Sequence, residues 1–234
     1  MFELDTRLFA AAELLGTGNT LADIGSDHAF LPIYMLKNQR IAHAIITDIN
    51  DMPLKNSMDH VNQYRMQNYC EFRKGSGLEI IKDGDADLIS ICGMGGDLIA
   101  TIIKNGIDTA KSAEKLVLQP MTNHALLRKN ITEMGFRIID EKMIRDRHLF
   151  YQIFSVQKGD EKQYKNEIDF EFSPLLRYNK DETMREYIQF QLRVQRKIFA
   201  QLQENNQLSL MDESLKKIDR MKGLLNEYES ETNC

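Results

Sequence analysis

Apolar positions recur along the chain in two rhythms. Leu4, Leu8, Ala11 and Leu15 share one face at the helical spacing of three to four, and Gly16 and Gly18 follow, so residues 3–15 predict a helix. Short apolar runs then alternate with amphipathic ones. Residues 19–24, 42–49, 69–75, 86–93 and 114–120 predict strands. Residues 30–39, 53–67, 96–106 and 123–135 predict helices, with a short turn or helix at 77–81. Pro53 falls in a first helical turn, where a missing N–H is tolerated, and Gly135 closes the last of these helices. Strands this rich in Ile, Leu and Val are covered on both faces, so the pattern predicts a parallel, doubly wound α/β sheet.

The alternation stops at residue 136. FRIIDEKMIRD and HLFYQIFSVQKG are strand-like segments with only a polar corner between them, which predicts an antiparallel hairpin. A parallel sheet ending in such a hairpin departs from the plain dinucleotide fold and, by analogy, resembles the Rossmann-like class I sheet of S-adenosylmethionine-dependent methyltransferases. Residues 160–182 are polar and irregular and predict a linker. Two long helices follow, at 182–204 and 210–229. The first places Met184, Ile188, Gln191, Gln195, Ile198 and Leu202 on one seam; the second places Met211, Leu215, Ile218 and Leu225, with Ser209 as its cap. The short break NNQLS predicts an antiparallel coiled coil. The expected division is a domain at 1–159 and a linker with a coiled-coil arm at 160–234. The arm reads equally as a packing or dimerisation device and as a substrate grip. Arg193, Arg196, Lys197, Lys216, Lys217, Arg220 and Lys222 give it basic faces, interrupted by acids.

Charge narrows the partners little. The net charge is −5, with 18 basic and 20 acidic side chains in residues 1–158 and 12 and 15 in the remainder. Bulk charge therefore does not argue for nucleic acid, and a local patch would have to serve. Three scattered cysteines, Cys70, Cys92 and Cys234, form no CxxC pair and point to a reducing cytoplasm. The N-terminal segment carries charges inside its apolar run, unlike a secretory leader, and no run of 18 apolar residues suggests a membrane span. Five histidines at no ligand spacing argue against a metal site. The assembly state stays open, a monomer among the possibilities.

The chemistry gathers in loops after the predicted strands, where open α/β sheets bind ligands. In LADIGSDHAFLP, Gly25 permits a sharp turn and close approach to a ligand. The spacing lacks the second and third glycines of a dinucleotide fingerprint, and Asp27 would repel a pyrophosphate. A ligand with positive centres suits the turn better. Asp23 or Asp27 can accept from an ammonium and face a sulfonium; Asp27 reads alternatively as a helix cap. Asp48, ending the second strand 23 residues after Gly25, can hold both ribose hydroxyls of an adenosine, or cap the helix that follows. GSGLEII, from Gly75, offers Ser76 to an adenine edge. ICGMGG, ending at Gly96, replaces the Asp/Asn-Pro-Pro-aromatic motif of many amine methyltransferases and suggests a nucleophile other than an exocyclic amine. Its glycines allow a flat ligand close, and Met94 can rest on an adenine or pack in the core.

ADIGSDHAFLP with TDIN, ICGMGG and LQPMTNHALLR, followed by the hairpin and helical arm, resembles the bacterial tRNA (adenine-22-N1)-methyltransferases, the TrmK family, over essentially the full chain. The resemblance implies transfer of methyl from S-adenosylmethionine to N1 of adenine 22 in tRNA. It implies donor contacts at Asp23, Gly25, Ser26, Asp27, His28, Asp48, Ile49, Gly75, Ser76, Gly77, Cys92, Gly93 and Met94. It implies substrate contacts at Met94, Gly95, Gln119 and Pro120. Ser76 departs from an expected Asp between Gly75 and Gly77. Asp27 is the catalytic candidate, orienting the adenine, with His28 either assisting or structural. Arg128 and Lys129 are candidates for phosphate contact, and Tyr151 for the base or the core. Competing readings are a small-molecule methyltransferase, a non-catalytic RNA-binding protein of the same fold, and a nicotinamide oxidoreductase, the last disfavoured by the missing glycines.

Overall fold

In the computed structural model, which describes residues 4–160, 162 and 164–229, helix α1 (Thr6–Leu15) is capped by Asp5, whose carboxylate accepts the Leu8 N–H. Then come β1 (Thr20–Ile24), α2 (Phe30–Lys37), β2 (His43–Asp48), α3 (Asp51–Gln63) and β3 (Cys70–Lys74). After turns through residues 75–87 follow β4 (Leu88–Gly95), α4 (Gly96–Asn105), α5 (Ile107–Ser112), β5 (Lys115–Thr122) and α6 (His124–Glu133). Strands β6 (Phe136–Asp146) and β7 (Leu149–Lys158) complete the sheet. Helix α5 lies where the sequence pattern marked no element.

The sheet has seven strands in the order β3-β2-β1-β4-β5-β7-β6. Strands β1 to β5 run parallel, whereas β7 is antiparallel to both β5 and β6. The expected methyltransferase-type sheet is thus present: parallel strands, helices around them, and a C-terminal hairpin inserted beside β5. Arg147 turns the hairpin in the left-handed region at φ 52°. On one face Ala11, Leu15, Leu21, Ile33, Met35, Ile46, Val117 and Ile153 form a continuous core beneath α1 and α2. Helices α4 and α6 pack on each other and against β4–β6. The chain winds outward from β1 to β3 and then returns to place β4 against the other side of β1. Loops leaving β1 and β4 therefore diverge, and a crevice opens between them.

The chain divides into two compact units, residues 1–162 and 163–234. In the second, the expected linker contains two short helices, α7 (Glu167–Glu171) and α8 (Pro174–Tyr178). Asn166 and Ser173 cap them, Pro174 occupies a first-turn position, and Arg177 pairs with Asp169 at 2.7 Å. Helices α9 (Glu182–Glu204) and α10 (Leu208–Glu229) pack as an antiparallel pair, as the Gln195–Ser214 hydrogen bond of 2.8 Å and the Lys180 bond to Glu227 O require. Most of the expected seam is present: Met184, Ile188 and Ile218 are buried, and Gln191, Gln195, Leu202, Met211 and Leu225 are half-buried. Leu192, Ser214, Met221 and Leu224 are buried as well, while Ile198 and Leu215 face solvent. Ser209 lies inside α10 and does not cap it.

Candidate active site at the switch between β1 and β4

A cleft of about 370 Å³ opens where β1 and β4 end. Its floor is the turn after β1. Gly25 adopts φ +73° and donates its N–H to Thr47 O at 2.9 Å; Ser26 N–H donates to the same carbonyl. A Cβ on Gly25 would collide with Met94 Cε, so the end of β4 closes directly over this glycine. Ser26 Oγ accepts the Ala29 N–H at 3.1 Å, and Ser57 Oγ donates to Ser26 O at 2.7 Å. These bonds fix the turn that carries Asp27 and His28.

Four groups give the cleft its charge. Asp23 is 6 % exposed, and Ser90 Oγ donates to it at 2.5 Å. Burial raises its pKa above the ordinary carboxylate range, against the lowering effect of hydrogen bonds from Ser26 and Ser90. Asp27 is open to the cleft; its carboxylate lies 3.2 Å from His28 Nε2, and Asn56 Nδ2 donates to it at 3.5 Å. Asp5 and Arg7 complete the charged lining. Cys92 also lines the cleft, and burial, with Asp23 nearby, raises its thiol pKa far above the ordinary range. The thiol stays protonated and is a poor nucleophile.

The structure brings Asp23, Gly25, Ser26, Asp27, His28, Cys92 and Gly93 around this one cleft. Asp48 ends β2 beside them. Its Oδ1 accepts the Asn50 N–H at 2.7 Å, and its carbonyl accepts the Gly75 N–H at 3.1 Å, which ties the 75–77 turn to the end of β2, though none of these residues lines the cleft itself. Ile49 and Ser76 point to solvent, and Gly77 packs on Ile102. The helix-cap alternatives for both acids fall away. The cap position of α2 is Ala29 and that of α3 is Asn50, neither with a side-chain cap bond.

Three assignments need correction. Arg128 is fully buried, so no phosphate reaches it. Its Nε donates to Glu141 Oε1 at 2.7 Å, its Nη2 donates to Gln152 Oε1 at 2.6 Å, and it stacks over Phe154. Gln119 is likewise fully buried, and Pro120 beside it is buried too. Gln119 Oε1 accepts from both Arg7 and the Gly93 N–H, and its Nε2 donates to Pro120 O at 2.8 Å. It shapes the end of β4 and leaves no group for a substrate. Met94 and Gly95 remain half-buried at the rim, and Lys129 is exposed with Glu133 3.9 Å away. Tyr151 packs against the core under α1, with Arg7 over its ring.

A family model described as tRNA (adenine(22)-N(1))-methyltransferase, TrmK, matches residues 21–223. The chain belongs to this family. A Bacillus subtilis tRNA (adenine(22)-N(1))-methyltransferase is 37% identical over 158 residues, which are 68% of this chain and 66% of that protein, just under two thirds of its length. Among solved structures, Streptococcus pneumoniae Sp1610 in complex with S-adenosyl-L-methionine is 27% identical, with a TM-score of 0.85 over 95% of this chain and 100% of that one. M. capricolum TrmK in complex with S-adenosyl-homocysteine is 25% identical, with a TM-score of 0.83 over 96% and 99%.

In this member of the TrmK family, one wall of the cleft carries no signature in the sequence. Asp5, Arg7 and Leu8 line it from α1, yet no strand-end motif marks them. Arg7 reaches Gln119, 112 residues away, and its Nη1 would lie 3.5 Å from a Cβ on Gly93. Among the described residues that line the cleft it is the one arginine or lysine. Only its position on the first turn of an amphipathic helix hinted at a role.

Proposed function

We propose that the cleft between β1 and β4 binds S-adenosylmethionine and that the chain methylates N1 of adenine 22 in tRNA. The observation that carries this reading is the charge pattern of the cleft: three carboxylates and one arginine around a single tight glycine turn at the switch point. That set suits a ligand with two cationic centres and one carboxylate, and it opposes a pyrophosphate. Solved relatives with this fold hold S-adenosyl-L-methionine and S-adenosyl-homocysteine.

Asp23 would accept from the ammonium and face the sulfonium, and Arg7 would take the carboxylate. Asp48 would accept from the ribose hydroxyls, with its Oδ1 already oriented by Asn50. Gly75, Ser76 and Gly77, bound to Asp48 through Gly75, would border the adenine, with Ile49 against its face. When bound, S-adenosylmethionine supplies an electrophilic methyl group on sulfur. The residues of the chain have modest chemistry left to do. Adenine N1 offers an in-plane lone pair without prior deprotonation, so alignment and exclusion of water dominate the acceleration. Asp27 accepts from the N6 amine of the target adenine and so turns N1 toward the donor; its charge also favours the cation that forms on the base. Met94 and Gly95 border the entry of that base. Residues 1–159 act as the methyltransferase domain, and the helical unit from residue 160 onward helps to hold tRNA.

Transfer of labelled methyl to tRNA transcripts tests the proposal. Label is expected in a transcript with adenine at position 22 and absent from a matched transcript in which that adenine is replaced. Label in both, or in neither, overturns the assignment.

A further inference from the structure

The rim beyond the cleft, at the C-terminal ends of β4 and β5, carries three large apolar side chains in solvent. Leu98 is 52 % exposed, and Met121 and Leu126 are each 43 % exposed. The fold gathers them. Gly95 and Thr122 are register partners, and Asn123 Nδ2 donates to Asp97 Oδ2. A Cβ on Gly96 would lie 2.6 Å from Asn123 O, so α4 and α6 begin at adjoining points, and they pack on each other. Leu98 and Leu126 each sit in the first turn of their helix. Met121 lies close to the cleft: Gln119 Nε2 donates to its Sδ at 3.6 Å, and Gln119 Oε1 accepts the N–H of Gly93, which lines the cleft. Lys129, one helical turn after Leu126 on α6, is 56 % exposed.

We propose that Leu98, Met121 and Leu126 form an apolar wedge that stacks against the nucleotides flanking the target adenine after that base has left its stack. The inference rests on the reading of the cleft as the place where adenine meets the methyl donor. N1 lies on the base-pairing edge, so a stacked or paired adenine has to be extruded before it reacts. Extrusion leaves the faces of its neighbours bare, and large apolar side chains are what cover unstacked base steps. The occupant is tRNA because Met121 touches Gln119, whose side chain holds Gly93 of the cleft lining, so the wedge lies next to the cleft, and because Lys129 stands beside it to meet a backbone phosphate.

The test combines Leu98→Ala, Met121→Ala and Leu126→Ala in the full chain and compares two substrates. One is intact tRNA; the other is the same RNA with abasic nucleotides on both sides of adenine 22, which offers nothing to stack. We expect kcat/KM on intact tRNA to fall about 10-fold or more, the order of one lost stacking contact. On the abasic-flanked RNA it changes by less than about twofold, because no stacking contact is there to lose. The dissociation constant for S-adenosylmethionine, measured by calorimetry, stays unchanged. Unchanged methylation of intact tRNA would overturn the proposal and leave the patch to a protein partner. Equal losses on the two substrates, or loss of donor binding in the variant, would overturn it as well. Absence of donor binding in the unaltered protein would instead remove the reading of the cleft. Leu126→Ala alone repeats the comparison should the triple variant lose stability.

Discussion

Asp23 and Arg128 are both charged, both buried in the first unit, and held in opposite ways. Arg128 has no exposed surface, but Glu141 and Gln152 answer its guanidinium and Phe154 lies beneath it. Among the described residues Asp23 is bonded to hydroxyl groups and to no cation, and it borders a cleft. The contrast separates two uses of a buried charge. A pair closed on itself is part of the scaffold; a buried carboxylate that borders a cavity and is bonded to hydroxyl groups is poised for a cationic ligand.

Breaking the closed pair should have the largest effect. Arg128→Ala strands the Glu141 carboxylate, and we expect a loss of about 3–5 kcal/mol in denaturant unfolding. Arg128→Met combined with Glu141→Leu should recover most of it; a loss under about 1 kcal/mol for the single variant would contradict a self-contained pair.

Acid sharpens the comparison next. His124 begins α6 near this pair; burial, and then the charge of Arg128, lower its pKa from 6.5 to about 4. In the unfolded chain it takes up a proton at its ordinary pKa, while the folded protein resists until about 4. Stability present above 6.5 should therefore decline as pH falls toward 4, by about 2–3 kcal/mol. In a His124→Gln variant that slope should be largely gone.

The smallest effect concerns Asp23. A raised folded pKa means that its contribution is favourable at low pH and lost as pH rises through that pKa. Burial disfavours the ionised form, so Asp23→Asn should stabilise the ligand-free protein, by less than either change above. The same change should weaken donor binding about 10-fold, the scale of one hydrogen bond to a charge. A destabilised variant with unaltered donor binding would place Asp23 with the scaffold.

Much of the molecule could be read without coordinates because its signals are local. The strand and helix rhythm, the hairpin after residue 136 and the Gly25 turn each depend on residues close in the chain, as does the placing of Asp23 and Asp48 at strand ends. Other local signals were present and passed over: Asn166, and Ser173 followed by Pro174, cap the short helices found where a linker was expected. Most of the seam between α9 and α10 follows from its period too; Ile198 and Leu215 turn outward because apolar residues at several registers satisfy that period, and only the packed partner selects Leu192 and Met221 over them.

Tertiary contact decided the rest. Whether an arginine meets solvent or a carboxylate depends on what folds over it, so Arg128 and Lys129, adjacent on α6, have opposite environments. Arg7 enters the cleft because α1 packs across strands more than a hundred residues away, where its guanidinium meets Gln119. Periodicity and turn chemistry act within a few residues and leave their mark in the order of amino acids. Burial and charge pairing are properties of distant segments brought together, and no window of the chain contains them.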